Sequence, residues 1–295
     1  MDRVIRILIQ TTTSAEPDNW SIGSLSLLTK HLASLRENNT RFEVTARNRD
    51  VPSNVDDPVL STLDQSPFDE LWLFALDNGE GITPAECQAI ARFRRRGGGI
   101  LATRDHQDMG SSLCTLGGIG AAHFFHSRSP EPDPERHSPD DTETRTISWP
   151  NYHSGQNGDY QTITPVMPDH ELLRNPNSGK PLEFFPAHPH EGAVGLPPDD
   201  PSAHVVARGK SRITGRPFNL VVAFDRSRDA DGNLLGRGIA ESSFHHFADY
   251  NWDTRCGAPS FVTEPEGKGM SLEPRALPEI KQYVRNLAFW LAPPA

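Results

Sequence analysis

The chain opens on a compact apolar run, Val4 to Thr11, whose lack of alternation suits a strand buried on both faces. Ser21 to Leu35 then places Ile22, Leu25, Leu28, Leu32 and Leu35 at the three-to-four spacing of an amphipathic helix. Arg41 to Ala46 returns to period two through Phe42, Val44 and Ala46, and Leu71 to Leu76 reads as another buried strand. The next helix carries both of its punctuation marks. Thr83 and Glu86 form a capping box, Pro84 takes the first helical position, and Gly97 to Gly99 stop it. Ile100 to Thr103 is a strand that runs straight into Arg104-Asp105-His106.

From about residue 127 to residue 180 the pattern dissolves into Pro, Asp, Ser and Asn. That is too long for a simple connection and reads as an insertion or lid. Order returns in three runs, His204 to Ala207, Phe218 to Phe224 and Gly238 to Phe244, with a hairpin loop from Asp225 to Gly236. Within that loop Asp229-Ala230-Asp231-Gly232-Asn233 lacks the sixth-position Gly and distal Glu of a calcium loop, which leaves a plain turn. An amphipathic helix from Pro278 to Leu291 closes the chain. Repeated strand-helix-strand order predicts an α/β fold, a mainly parallel sheet with helices on both faces. With no repeat and no clean linker, residues 1–295 read as a single domain.

Composition narrows the partners. A net charge of −10 argues against nucleic acid, because phosphate neutralisation needs clustered cations. The one basic run, Arg92 to Arg96, falls at a helix end, where it complements the dipole. No stretch approaches the roughly 20 apolar residues of a membrane helix, and the N-terminal run reads as a first strand rather than a signal peptide. Cys87, Cys114 and Cys256 form no paired framework, which fits a reducing compartment. The expectation is a cytoplasmic protein that takes a small-molecule substrate, contacts neither nucleic acid nor membrane, and is compatible with a homo-oligomer.

In open α/β sheets ligands bind beyond the carboxyl ends of the strands. The residues there include Thr11-Thr12-Thr13, Asp77-Asn78, Arg104-Asp105-His106 and His245-His246. His106 is a candidate general base or metal ligand, with Asp105 or Asp108 orienting it and Arg104 as an anion or oxyanion contact. The same residues also read as a helix cap beside a hydrogen-bonded histidine. Glu241 sits in an apolar strand and needs a partner, with His106 or Arg104 as candidates. Strand alternation lets only one of His245 and His246 face the pocket, and His245 is preferred. Pro186-Ala187-His188-Pro189-His190-Glu191-Gly192 puts two histidines on one face of an extended segment, which suits a divalent metal such as zinc held by His188, His190 and His245. Asp77, Asp108, Tyr152 and His153 are candidate substrate contacts, the last two from the aromatic and polar stretch Trp149 to Gly155. His123 and His126, three apart, form a weaker pair.

Two segments together resemble the ThuA-like family of the class I glutamine amidotransferase-like superfamily. They are Gly97-Gly98-Gly99-Ile100-Leu101-Ala102-Thr103-Arg104-Asp105-His106, and Gly236-Arg237 followed by a strand towards His245 and the closing helix with Trp290. The resemblance implies a flavodoxin-like, doubly wound core and an association with sugar utilisation, and it leaves residues 127–180 outside. No Cys or Ser occupies a G-x-C-x-G or G-x-S-x-G elbow, so a thiol-dependent glutaminase is not expected. The reading is an acid-base enzyme, a hydrolase on a small polar, carbohydrate-derived substrate, with His106 as base or ligand, Glu241 and Asp105 as its orienters, and bound metal compatible with it but not required. Its rival is a binding or assembly module that keeps the fold without chemistry. A phosphate loop at Thr11 to Ser14 has no accompanying flavin signature, so neither nucleotide nor flavin is expected.

Overall fold

A computed structural model of the chain describes residues 2–116, 118–130, 134–137, 140, 144 and 146–294. Among them the strands are β1 (Arg3–Thr11), β2 (Arg36–Glu37), β3 (Thr40–Arg47), β4 (Glu70–Phe74), β5 (Gly99–Thr103), β6 (Tyr160–Thr162), β7 (Thr164–Pro165), β8 (Phe184–Pro186), β9 (Ala203–Lys210), β10 (Pro217–Phe224) and β11 (Gly238–Glu241). The α-helices are α1 (Ser26–Ser34), α2 (Pro84–Arg95), α3 (Asp249–Trp252), α4 (Gly269–Leu272) and α5 (Ala276–Leu291).

Five strands lie parallel in the order β3-β1-β4-β5-β11. Counted along the chain this is the 2-1-3-4-5 order of the flavodoxin-like folds. Antiparallel β10, β9 and β7 extend one edge and β2 the other, while β6 and β8 form a separate ribbon. The unalternating strands are buried on both sides, as their composition requires. Ile5, Ile7, Ile9, Trp72 and Phe74 join Leu28 and Leu32 of α1 and Ile280, Tyr283 and Leu287 of α5 in one core. Leu8, Leu71, Leu73 and Ala102 join Ile90 and Phe93 of α2 in the other. Helix α2 has the predicted capping box between Thr83 and Glu86, and Gly97 follows it in a left-handed conformation at φ +94°.

The connection from β5 to β11 is what shapes the site. It carries residues 127–180, the β6–β8 ribbon, the H-x-H-E segment and the antiparallel edge before the chain rejoins the parallel sheet. Residues 131–133, 138–139, 141–143 and 145 of that insertion lie outside the described residues. The remainder is mostly irregular chain packed against the sheet edge, and β7 within it pairs with β9. Among the described residues no helix is long and apolar enough to cross a membrane.

Candidate functional site

Past β5 the chain continues alongside β11, with Arg104 N–H donating to Glu241 O at 3.2 Å. This extended path sends Arg104 and Asp105 to opposite sides. Asp105 is fully buried, and its Oδ1 accepts a 2.8 Å hydrogen bond from Ser243 Oγ. Its Oδ2 faces three imidazoles: His106 Nδ1 at 2.9 Å, His245 Nε2 at 3.5 Å and His188 Nε2 at 3.9 Å. Burial works to raise the Asp105 pKa, but the His106 and His245 imidazoles beside it hold the carboxyl well below its usual range.

His188 arrives from β8 on the segment Ala187 to Gly192. Gly192 lets that segment pass directly over the site: a Cβ there would stand 2.3 Å from Asp105 O and 2.7 Å from Ser242 O. His188 Nδ1 lies 2.7 Å from Asn157 Oδ1, and its ring stacks on His245 with centroids 3.5 Å apart. Burial, and next the neighbouring His245, push the His188 pKa well below that of a free imidazole, so His188 is neutral.

The strand expected from Gly238 to Phe244 stops at Glu241, and Phe244 to His246 form a 3₁₀ turn capped by Ser243 Oγ. Successive residues of so tight a turn point apart, so His245 and His246 diverge by turn geometry rather than by strand alternation. His245 enters the Asp105 pocket, with Nδ1 3.1 Å from Asn251 Oδ1. His246 enters a second buried pocket, 3.1 Å from Glu241 Oε2 and 3.5 Å from Glu191 Oε1. The partners expected for Glu241, His106 or Arg104, are therefore replaced by His246 and by the Tyr283 hydroxyl, which donates to Oε1. Burial would lower the His246 pKa, but the two carboxylates raise it to about 10.

The structure thus unites Asp105, His188 and His245, whose ligand atoms all lie within 4.8 Å of one another, with His106 at their edge. Other predicted residues stand elsewhere. His190 is near, its ring centroid 5.6 Å from those of His106 and His188, but its Nε2 faces Glu264 Oε1 at 2.9 Å. Arg104 is buried among carbonyls, donating to Phe125 O at 2.6 Å and Gln107 O at 2.5 Å, so its role is to brace the turn after β5. Asp108 holds Ser127 through N–H and Oγ at 2.8 and 2.6 Å. Tyr152 is buried face to face on Phe218, and His153 O accepts from Arg212 N–H. Asp77 lines a cleft of about 530 Å³ between the ends of β1 and β4, its carboxylate taken up by Thr12, Ser112 and Gly79 N–H.

Sequence reasoning missed Asn157 and Asn251, the partners of the two site histidines, and Ser243, which links the turn to Asp105. The segment 127–180, read as an insertion or lid, contributes through other residues than the expected Tyr152 and His153: Asn151 to His190, Ser154 and Gln161 to Glu191, and Asn157 to His188. One signal was available: Asn157 and Asn251 each sit in a polar run beside a candidate histidine, at Tyr152 to Asp159 and His245 to Asp253.

The fold is similar to that of several solved structures. A ThuA-like protein from Parabacteroides merdae gives a TM-score of 0.47 at 14% identity, over 98% of this chain and 90% of that one. A ThuA-like protein from Bacteroides uniformis gives 0.44 at 13%, over 97% and 91%. The glutaminase domain of Trypanosoma brucei CTPS gives 0.46 at 12%, over 97% and 94%. No family model matches the chain, and no curated protein matches its sequence.

Proposed function

We propose that this protein is an enzyme in which Asp105, His188 and His245 hold a divalent cation of the zinc type to assist hydrolysis of a small polar, carbohydrate-derived substrate. One observation carries the reading: a buried carboxylate oxygen and two buried imidazole nitrogens meet, and among the described residues His188 Nε2 has no hydrogen-bond partner while Asp105 Oδ2 is faced by imidazoles alone. Such atoms left bare lose their solvation without compensation. Ligands bound at about 2.1 Å around a tetrahedral zinc sit about 3.4 Å apart, and the carboxylate-to-imidazole separations of 3.5 and 3.9 Å are close to that. One carboxylate and two histidines, with no cysteine, match the donor set of catalytic rather than structural zinc sites.

A cation bound there supplies Lewis-acid polarisation of a substrate oxygen. The chain's own residues supply the rest. His106, with 18% of its side chain exposed, is the member of the group that solvent reaches. Tied through Nδ1 to Asp105, it is the proton carrier that activates water and then protonates the leaving group. Water is the nucleophile, because the turn after β5 holds no cysteine or serine. Buried His188 and His245 exclude bulk water from the inner side.

The test is metal analysis of untagged protein, freshly purified, with a hydrolase substrate panel. Wild type should carry about one equivalent of a divalent metal, and Asp105→Asn, His188→Ala and His245→Ala should each lose it. Protein without stoichiometric metal that gains no hydrolysis on addition of any divalent ion would refute the proposal.

A further inference from the structure

We infer that Asn251 and Asn157 form one directed hydrogen-bond relay, started by the Ala187 carbonyl, that places a proton on Nδ1 of both site histidines and turns both Nε2 atoms to Asp105. This deepens the proposed function and rests on it for its metal arm alone. Each proton assignment follows from the previous one. Ala187 O can only accept, and the Asn251 amide atom 3.0 Å from it is therefore the NH₂. The same NH₂ lies 3.0 Å from the Asn157 amide, which must turn its oxygen to it, since two NH₂ groups cannot bond each other. With its nitrogen so placed, Asn251 presents Oδ1 to His245 Nδ1 at 3.1 Å, and that nitrogen must carry the proton. Asn157 Oδ1 likewise faces His188 Nδ1 at 2.7 Å, and that nitrogen must carry its proton too.

His188 is neutral and has one N–H, so its Nε2 is left as a lone pair, and the Nε2 of both rings is the nitrogen turned to Asp105 Oδ2. Neither amide can be reversed. Flipping either amide sets donor against donor or leaves the Ala187 carbonyl facing an oxygen. Asn251 is fully buried and Asn157 nearly so, and water cannot substitute for the missing partner. Both asparagines are positioning residues, acting through the histidines. The relay also explains why residues 127–180 belong to the site, because without Asn157 the proton on His188 is unassigned.

The relay is read out in the metal-free protein. Full-length chain labelled with ¹⁵N-histidine is stripped with a chelator, and long-range ¹H–¹⁵N spectra report which nitrogen of each ring bears the proton. Variants lacking His188 or His245 assign the signals. Nδ1–H at both residues is expected, and an Nδ1 without its proton at either overturns the relay. Asn251→Leu should mix the tautomers of both histidines, Asn157→Leu mainly that of His188, and Asn157→Asp, which keeps the acceptor, should restore wild-type tautomers. Tautomers unchanged in a folded Asn251→Leu also overturn it. If the leucine variants do not fold, the wild-type and Asn157→Asp spectra still decide. In the metal arm, Asn251→Leu should bind zinc about 10- to 100-fold more weakly, the range for loss of a partner to a ligating histidine. Fixed tautomers without zinc binding would sink the metal reading and leave the relay standing. Zinc binding with mixed tautomers would do the reverse.

Discussion

His245 and His246 are neighbours in one 3₁₀ turn, yet their pockets solve opposite problems. His246 lies between two buried carboxylates, Glu241 bonded also by Tyr283 and Glu191 by Gln161, and its raised pKa makes it a cation. His245 shares its pocket with a stacked neutral imidazole and with Asp105 Oδ2, which His106 Nδ1 also faces at 2.9 Å. The first pocket already holds a cation between its carboxylates. The second sets one carboxylate against stacked imidazoles, with a His188 Nε2 that nothing among the described residues bonds. Such a bare buried acceptor is a cost the fold alone does not require.

That contrast breaks most visibly under truncation. His246→Ala leaves Glu241 and Glu191 facing each other in the core without a cation, and such a loss costs about 3–5 kcal/mol. His245→Ala leaves the Asn251 oxygen short of a donor and takes an imidazole from beside Asp105, about 1–3 kcal/mol in the metal-free protein. Urea unfolding of the two variants measures the gap, and equal losses would mean that the two pockets do the same structural work.

Zinc sharpens the comparison from the other side. An ion that binds only the folded state at 100 times its dissociation constant stabilises by about 2.7 kcal/mol. Wild type should gain this on addition of zinc, seen as a rise in melting temperature, and His245→Ala should gain nothing. Trp20, edge-on to His245 with centroids 5.1 Å apart, provides a second signal. Its fluorescence should change during the same titration, and Trp20→Phe should abolish that change.

The fold was legible because it rests on local patterning. Unalternating strands, a helix with its cap and stop written out, and a closing amphipathic helix all follow from short-range composition. The site was legible only in part. Asp105, His188 and His245 could be named because strand ends are where such sheets bind ligands, and because an H-x-H run is conspicuous. Their grouping could not be, since it joins residues 83 and 57 positions apart through a loop whose path depends on Gly192. Arg104 shows the limit most clearly. A cation beside His106 suggests anion binding, but the carbonyls of Phe125 and Gln107 that take it up come from chain whose course no pattern predicted.

The response to pH has a sign that separates buried neutral histidines from the buried charged one. His246 keeps its proton in the folded state up to about 10, while an unfolded histidine loses it near 6.5. Between those values the folded state binds more protons, so the stability His246 contributes is complete below about 6.5 and is lost as pH rises towards 10. His126 behaves in the opposite sense. Burial, and then the Arg104 charge, lower its pKa to about 4. The unfolded chain therefore binds the extra proton, and stability is lost as pH falls from about 6.5 towards 4. His188, lowered for the same first reason, adds to that acid limb. Urea unfolding from pH 5 to 9.5 should give a profile that falls on both sides of neutrality. His126→Gln should make the acid limb shallower, with His170 and His188 keeping the rest of it, and His246→Gln should flatten the alkaline limb alone. If His246→Gln does not fold, an NMR titration of the wild-type His246 ring replaces it. A ring already deprotonated at pH 8 would remove the charge that distinguishes its pocket from that of His245.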